Sequence, residues 1–397
     1  MKQYDAIIVG GGACGLMCAA QAGLLGKSVL VVERNDKVGA KILISGGGRC
    51  NYTNLGTSID NFVSENPQFL KSVFSQWTVE DTLDFFESHG IFGEEKTLGQ
   101  LFPSTNKAKD VVAVFTQILY DTNQDIVLNS LVKAVEKNEE GFLITIENKK
   151  GEQHLKTKKV VMASGGLPVY KLGASDFAIR VAKKFELAIV PTAPALVPLT
   201  ITGKDADWYA SLAGNSVFSR VYNKEISFEE NILFTHWGLS GPAILQISSY
   251  WRAGEEFYID LLPQFKLEEL IKEERNQGGK RLVSHMLNDY FTKRMVEALG
   301  KLLPIETKIA SLSKTDAKLI IDTIHKFKVK PAGDKGYDKA EVMRGGVSTA
   351  ALNPKTLESK QVAGLFFGGE TVDVTGWLGG YNFQWAWASG YAIAQAI

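Results

Sequence analysis

Continuous apolar runs at residues 6–9, 29–32, 160–163 and 362–367 lack the alternation of a half-exposed strand. Each is therefore expected to be a short strand buried on both faces of a parallel sheet. Helical spacing follows at 67–89, where Thr78 precedes Glu80 and Asp81 as an N-cap and Gly90 closes the helix, and again at 107–120 after Phe102-Pro103. Alternating runs at 126–136, 142–148 and 153–157, with Glu139, Glu140 and Gly141 as a turn, predict a small antiparallel meander. From Pro191 the texture changes. Pro191, Pro194 and Pro198 punctuate short strand-like runs as far as Leu262, the pattern of an inserted all-β domain, and residues 266–327 return to helical periodicity rich in Leu, Ile, Lys and Glu. Gly379-Gly380 then opens a helix that runs to Ile397. The chain shows no internal repeat and no low-complexity segment.

The turn after the first run carries Gly10, Gly12 and Gly15, followed by Ala13 and Cys14 in the opening of a helix. This is G-x-G-x-x-G spacing. The first glycine permits a tight turn, the second lets backbone approach a pyrophosphate, and the third lets the helix sit close to the strand. The helix N-terminus offers free N–H groups and a partial positive charge to the phosphates. Glu33, next to Arg34, ends the second run 18 residues after Gly15, where a carboxylate can accept from the ribose hydroxyls of adenosine. Strand, turn, helix and acid together point to dinucleotide binding. A secretory signal is the competing reading of an apolar N-terminus. It fails because Lys2 is the only basic residue before the run, Asp5 follows, and four glycines break the stretch.

Composition adds limits rather than detail. Lys plus Arg equals Asp plus Glu at 44 each, so bulk charge selects neither nucleic acid nor membrane as a partner. Locally, residues 293–339 hold 11 basic against 6 acidic residues, a net of 11 − 6 = +5, the composition of a solvated helical face or of a polyanion-docking surface. Cys14, Cys18 and Cys50 have no C-x-x-C spacing and suit a reducing cytoplasm, and the five histidines are scattered without metal-ligand spacing. No uncharged apolar window of membrane-spanning length is present. Oligomeric state has no signature here.

A Rossmann core interrupted by a meander and then resumed is a flavoprotein arrangement. FAD also needs contacts from both chain ends, and both ends carry them. Ser45, Gly46, Gly47, Gly48, Arg49, Cys50 and Asn51 form a glycine-rich segment on which a flat ring and a pyrophosphate can lie, with Lys41 and Arg49 as phosphate contacts. Cys50, a single cysteine, reads as a packed residue rather than a redox group. Ala163, Ser164 and Gly165 close the 160–163 run, and Val132 lies in the meander; these join the candidate cofactor contacts. At the far end Gly369 and Glu370 follow a strand, where the carboxylate can hold ribityl hydroxyls. Asp373 is three residues on, and Gly379, Gly380, Tyr381 and Asn382 open a helix whose N–H groups can face the N1 and C2 carbonyl region of the isoalloxazine. Such a helix end contributes roughly 0.3 to 2 kcal/mol toward an anion, which tunes a potential by tens of millivolts and leaves the chemistry to the flavin. His236, in a glycine-rich polar motif, is the candidate proton donor, with hydrogen bonding inside a barrel turn as the equal alternative; Tyr170, Tyr381 and Asn382 are further candidates for substrate contact.

Gly10-x-Gly12-x-x-Gly15 with Glu33, the Ser45 to Asn54 segment, Phe102-Pro103, Thr235 to Pro242, and Gly369-Glu370-x-x-Asp373 with Gly379-Gly380-Tyr381-Asn382-x-Gln384 closely resemble the YhiN/BaiN-like flavoproteins, often called aminoacetone-oxidase-like. The resemblance covers essentially the whole chain. It departs from the family pattern after Gly165-Gly166, where an extra glycine and threonine of many relatives are missing before Gly173 to Asp176. It implies an α/β Rossmann-like, glutathione-reductase-like FAD domain from residues 1–190 and 346–397, an inserted β-barrel substrate domain from 191–264 and 328–345, and a helical insert at 265–327. Relatives have been linked to amine oxidation, to reduction of a steroid double bond and to reduction of a uracil ring in ribosomal RNA. No second G-x-G-x-x-G unit and no C-x-x-x-x-C pair occur, so NAD(P)H, if used, visits the flavin only transiently. The expected activity is a cytoplasmic FAD-dependent oxidoreductase that passes hydride from NAD(P)H to an unsaturated substrate. The alternatives are an amine oxidase using O₂ and a ribosomal RNA-binding flavoprotein that reduces a uracil base.

Overall fold

Parallel pairing of the buried apolar runs builds the central sheet. A computed structural model describes residues 3–397; Met1 and Lys2, the latter weighed above as the only basic residue before the first strand, lie outside the described residues. Five strands pair in the order Leu365–Phe367, Val160–Met162, Ala6–Val9, Val29–Val32 and Asp125–Val127, all parallel. Ala6–Val9 and Val29–Val32 are buried at every position, as strands covered on both faces must be. The helix Ala13–Leu24 connects them, and the strand near the C-terminus completes the sheet beside Val160–Met162.

Two expected elements differ. The run at 126–136 is two strands: Asp125–Val127 joins the parallel sheet, whereas Leu131–Asn138 pairs with Gly141–Asn148 in a three-stranded antiparallel meander with Gly151–Thr157. The break falls at Asn129, which takes a positive φ of 51°. The helix expected over 67–89 is broken into Phe69–Phe74 and Val79–Ser88, because Thr78 adopts an extended conformation and its hydroxyl caps the second piece by accepting from the Asp81 N–H.

The chain forms two compact units, residues 1–193 with 342–397, and residues 194–341. The bounds 190 and 346 that the resemblance implies lie three residues before and four after these. Within the second unit a seven-stranded antiparallel sheet runs in the order Phe327–Val329, Phe257–Asp260, Ser216–Tyr222, Ser227–Thr235, Gly238–Ser240, Leu199–Thr200 and Gly333–Asp334. Its two edge strands are consecutive in sequence. A flat sheet would hold them about 29 Å apart at roughly 4.8 Å per strand, while the link from Val329 to Gly333 spans at most about 14 Å. The sheet therefore curls, although no ladder joins its edge strands and the expected barrel is not closed by hydrogen bonds. Helices Leu267–Asn276, Val283–Leu287, Lys293–Leu299 and Lys314–His325 belong to this same unit. No helix among the described residues is long and apolar enough to cross a membrane.

The last helix, Tyr381–Ala394, is buried on nearly every side. Trp385 and Trp387 are among the largest fully buried side chains, with Trp387 stacked on Phe115 at 5.3 Å and on Phe383 at 5.5 Å. Both indole N–H groups find carbonyls: Trp385 donates to Gly369 O at 2.9 Å and Trp387 to Tyr52 O at 2.8 Å. Gln384 is wholly buried, accepts from the Thr53 and Thr82 hydroxyls at 2.7 and 2.9 Å, and donates to Thr78 O at 3.0 Å. Replacing it strands several polar groups away from water. Gln384→Leu is expected to destabilise the 1–193/342–397 unit by about 3 kcal/mol, read as a lower urea midpoint of the tryptophan fluorescence transition.

Candidate functional site

The glycines of the first turn separate into those the fold itself requires and one it does not. Gly10 takes φ +109°, and a Cβ there would lie 2.4 Å from Ala163 O. At Gly15 a Cβ would lie 1.9 Å from Gly10 O, so the helix can approach the strand only without a side chain. Gly12 has an ordinary extended φ of −82° and nothing within 4 Å of its missing Cβ. Packing does not explain Gly12; open space for a ligand against the backbone does. It is also the N-cap of Ala13–Leu24, without a side-chain cap and without an acid in the first turn, so Ala13 and Cys14 open a helix end that is uncompensated.

Glu33 is buried beside this turn, its Oε2 accepting from the Gly11 N–H and its Oε1 from the Asn35 N–H, both at 2.8 Å. It braces the turn, and each oxygen retains a lone pair for a ribose hydroxyl. Ser130 N–H donates to Glu33 O, which sets the start of the strand carrying buried Val132 next to this acid. Arg34 turns outward, donating to Gly173 O at 2.8 Å, and a Cβ on Gly173 would lie 2.7 Å from the Arg34 side chain. Tyr170, at the head of that loop, is exposed.

The second glycine segment is a tight coil in which Gly46, Gly47 and Gly48 all have positive φ. Ser45 O accepts from the Gly48 and Cys50 N–H groups, and the Ser45 hydroxyl donates to Ile42 O. Gly47 again has nothing within 4 Å of a missing Cβ, as does Gly165 at φ +74°. Arg49 is exposed, lies 4.9 Å over the Phe102 ring and donates to Gly46 O, which holds the coil from outside. Cys14, Cys18 and Cys50 are buried free thiols. Burial raises Cys14 and Cys50 to about 12, against smaller opposing hydrogen bonds from Ser389 and Ser45 respectively, and raises Cys18 as well. Cys14 packs its sulfur under Gly368, where a Cβ would lie 2.6 Å away.

The late motifs converge on the same place. Lys41 and Glu370, expected separately as phosphate and ribityl contacts, pair with each other at 2.8 Å, and the other Glu370 oxygen accepts from the Met343 N–H. Asp373 is buried and faces the 64–65 turn, accepting from the Glu65 N–H at 2.9 Å; burial is the main cause that raises its pKa. Gly380 has φ +101°, and a Cβ there would lie 2.4 Å from Thr53 O and 2.8 Å from Asn51 Oδ1, so the C-terminal helix begins pressed against the Asn51–Asn54 segment. Asn54 donates to Gly379 O at 2.8 Å. Asn382 clamps the turn before it, accepting from Gly376 N–H at 2.8 Å and donating to Gly376 O at 2.9 Å, while buried Tyr381 packs edge-on to Phe62 and Trp377. Gly369 is held by its N–H to the Ser389 hydroxyl.

Of the three buried polar atoms in this unit without a hydrogen-bond partner among the described residues, Asn51 Oδ1, Tyr52 Oη and Ser164 Oγ, the first and last belong to the glycine-rich segments at 45–51 and 163–165. Together with the open glycine backbones at 12, 47 and 165, they fit a bound group that brings its own donors and acceptors. The sequence missed two contributors: Met343, whose backbone holds Glu370, and Gly166, where a Cβ would lie 2.9 Å from both the Glu370 carboxyl and the Met343 sulfur. The Gly165-Gly166 pair was the available signal. His236 belongs to the other unit, exposed in the turn between Ser227–Thr235 and Gly238–Ser240.

This parallel sheet, with its glycine turn and returning C-terminal strand, defines an FAD-dependent oxidoreductase of the Rossmann type. The chain belongs to the family described as HI0933-like protein Rossmann domain, whose model matches residues 4–396. It is 43% identical over 399 residues to the ribosomal RNA dihydrouridine synthase of Escherichia coli (strain K12), covering 100% of this chain and 98% of that protein. It is 28% identical over 404 residues to the 3-dehydro-bile acid delta(4,6)-reductase of Clostridium scindens, covering 98% of each. A solved 3-ketosteroid delta1-dehydrogenase from Sterolibacterium denitrificans shares the fold at TM-score 0.51 and 14% identity, over 100% of this chain and 99% of that one.

Gly12→Val is expected to leave the thermal melt of FAD-free protein unchanged, since the side chain meets open space, while weakening FAD at least about ten-fold by titration. Gly15→Ala, which drives a Cβ into backbone, is expected to abolish soluble expression. All three thiols are protonated at pH 8 because burial lifts them, so a thiol-specific disulfide reagent should react with none in folded protein and with all three after unfolding.

Proposed function

We propose that the chain reduces the 5,6 double bond of a uracil base in ribosomal RNA to dihydrouridine, with NAD(P)H as the electron source. The observation that carries this reading is the 43% identity, end to end, with a ribosomal RNA dihydrouridine synthase. The bile acid reductase supports the same chemistry, since its name describes reduction of double bonds in a 3-keto steroid. In uracil the 5,6 bond is conjugated to the C4 carbonyl, so hydride adds at C6 and a proton at C5 while the nicotinamide is oxidised. When bound, FAD supplies the two-electron carrier between the two.

In this reading the backbone at Gly10, Gly12, Ala13, Cys14 and Gly15 meets the pyrophosphate, and Glu33 meets the adenosine ribose with Arg34 and Val132 beside it. Gly46 to Asn51 and Ala163 to Gly165 bed the ring and its linker, with Asn51 Oδ1 and Ser164 Oγ gaining the partners they lack within the chain. Lys41 orients Glu370 through their 2.8 Å ion pair, and Asp373 keeps the neighbouring turn in place. The N–H groups opening the helix at Gly379, Gly380, Tyr381 and Asn382 face the part of the ring that gains charge on reduction. His236, exposed in the turn between Ser227–Thr235 and Gly238–Ser240, is the proposed donor of the C5 proton.

The direct test uses ribosomal RNA from an Escherichia coli strain lacking its 43%-identical relative, incubated without air with protein, FAD and NADPH. Mass spectrometry of the digested RNA should show a stoichiometric gain of dihydrouridine. No gain, with bleaching of the flavin by an amine such as aminoacetone instead of NADPH, would point to an oxidase. His236→Gln is expected to lower turnover by about 100-fold while flavin content and its bleaching by NADPH stay unchanged; unaltered turnover removes His236 from the chemistry.

A further inference from the structure

The 194–341 unit holds a pocket of about 360 Å³ where the strand Ser216–Tyr222 meets the segments 261–265 and 289–292. Its size lies at the lower end of ligand pockets, enough for a nucleoside rather than an element of folded protein. Phe218, Phe265 and Tyr290 supply aromatic walls, and Gln264, Asp289 and Thr292 supply polar edges. Phe265 and Tyr290 have ring centroids 4.8 Å apart, inclined at 57°, and Phe218 and Phe265 remain 39% and 42% exposed. These are rings left available at a pocket mouth. Asp289 shares the Arg281 guanidinium, at 2.8 Å, with Glu274 at 2.7 Å, and its carboxylate can accept from a ring N–H.

Beside the pocket, buried Asn215 accepts from the Thr292 hydroxyl at 3.0 Å while its Nδ2 donor has no partner. Lys266 and Lys293 follow lining residues directly and keep side-chain exposures of 79% and 87%. Their pairs with Glu269 at 3.1 Å and Glu297 at 3.8 Å are surface contacts of little strength, so both ammonium groups are free to exchange partners.

We propose that this pocket receives an unstacked base of the RNA substrate, a second base distinct from the uracil that is reduced, with Lys266 and Lys293 on the adjoining phosphates. The inference rests on the RNA reading above. Single-stranded RNA is recognised by splaying bases onto aromatic side chains and reading their polar edges, and aromatic walls with a polar rim and flanking lysines are that combination. A lipid chain has no use for the carboxylate and amide. All lining residues fall within 216–292, so the pocket can be altered without touching the glycine-rich turns of the first unit.

The test compares wild type with a Phe218→Ser, Phe265→Ser double variant on the same ribosomal RNA; both rings are partly exposed, and an unchanged thermal melt checks folding. KM for RNA should rise about ten-fold, with kcat at saturating RNA, flavin content and bleaching by NADPH unchanged. Lys293→Gln should flatten the salt dependence of RNA binding by about one ion. Independently of any variant, 4-thiouridine-substituted ribosomal RNA should crosslink on irradiation to peptides carrying Phe265 or Tyr290. Wild-type KM in the double variant and no crosslink at those peptides overturn the pocket while leaving the RNA reading intact, provided wild type makes dihydrouridine. A wild type that neither binds nor modifies RNA overturns both.

Discussion

Hydrogen bonding between the last helix and the glycine-rich coil near residue 50 is the contact on which the rest of the first unit depends. Gln384, Trp385, Trp387 and Ser389 are all buried, and each places its polar atoms on a hydroxyl, carbonyl or N–H of another segment. Apolar burial alone would let this helix slide or rotate. The bonds to Tyr52, Thr53, Thr82 and Gly369 define one register, and that register brings Gly380 to within a missing Cβ of Asn51 and Thr53. The two chain ends therefore form one wall.

Along that wall the glycines serve two ends. At positions 10, 15 and 380 a side chain would strike backbone, so protein packing demands glycine. At positions 12, 47 and 165 a side chain would meet nothing. Gly12 stands at an uncapped helix end, and all three lie in the same unit as the unpartnered Asn51 and Ser164 oxygens. Gly47 and Gly165 take positive φ, which by itself favours glycine, so Gly12, at φ −82°, is the position that the close approach of a dinucleotide accounts for and the fold does not. The Lys41–Glu370 pair adds a charge-compensated link across this wall, with Glu370 further steadied by the Met343 N–H.

Much of this was legible because the signals were local. Four apolar runs, three glycines at diagnostic spacing and an acid after the second strand define the parallel sheet and its turn without tertiary information. The Thr78 cap was readable, yet its consequence was not: the same extended residue that starts one helix ends the possibility of a continuous helix from 67. The split of 126–136 was hidden because a strand of the parallel sheet and a meander strand have similar composition, and only pairing tells them apart. Roles assigned to single side chains were less legible still. Lys41 and Glu370 were read as independent contacts when they bind each other, and Asn382 spends its amide on the Gly376 turn. Curling of the seven-stranded sheet follows from two edge strands that are neighbours in sequence, a topological fact that no periodicity contains.

Joint binding of one FAD by both ends of the chain is the proposal on which the functional reading rests. Amide hydrogen exchange with and without added FAD tests it most directly. Added protection is expected together at residues 10–16, 45–54 and 369–382, with none at 216–292. Protection confined to the first turn, or no uptake of FAD at all, would contradict it.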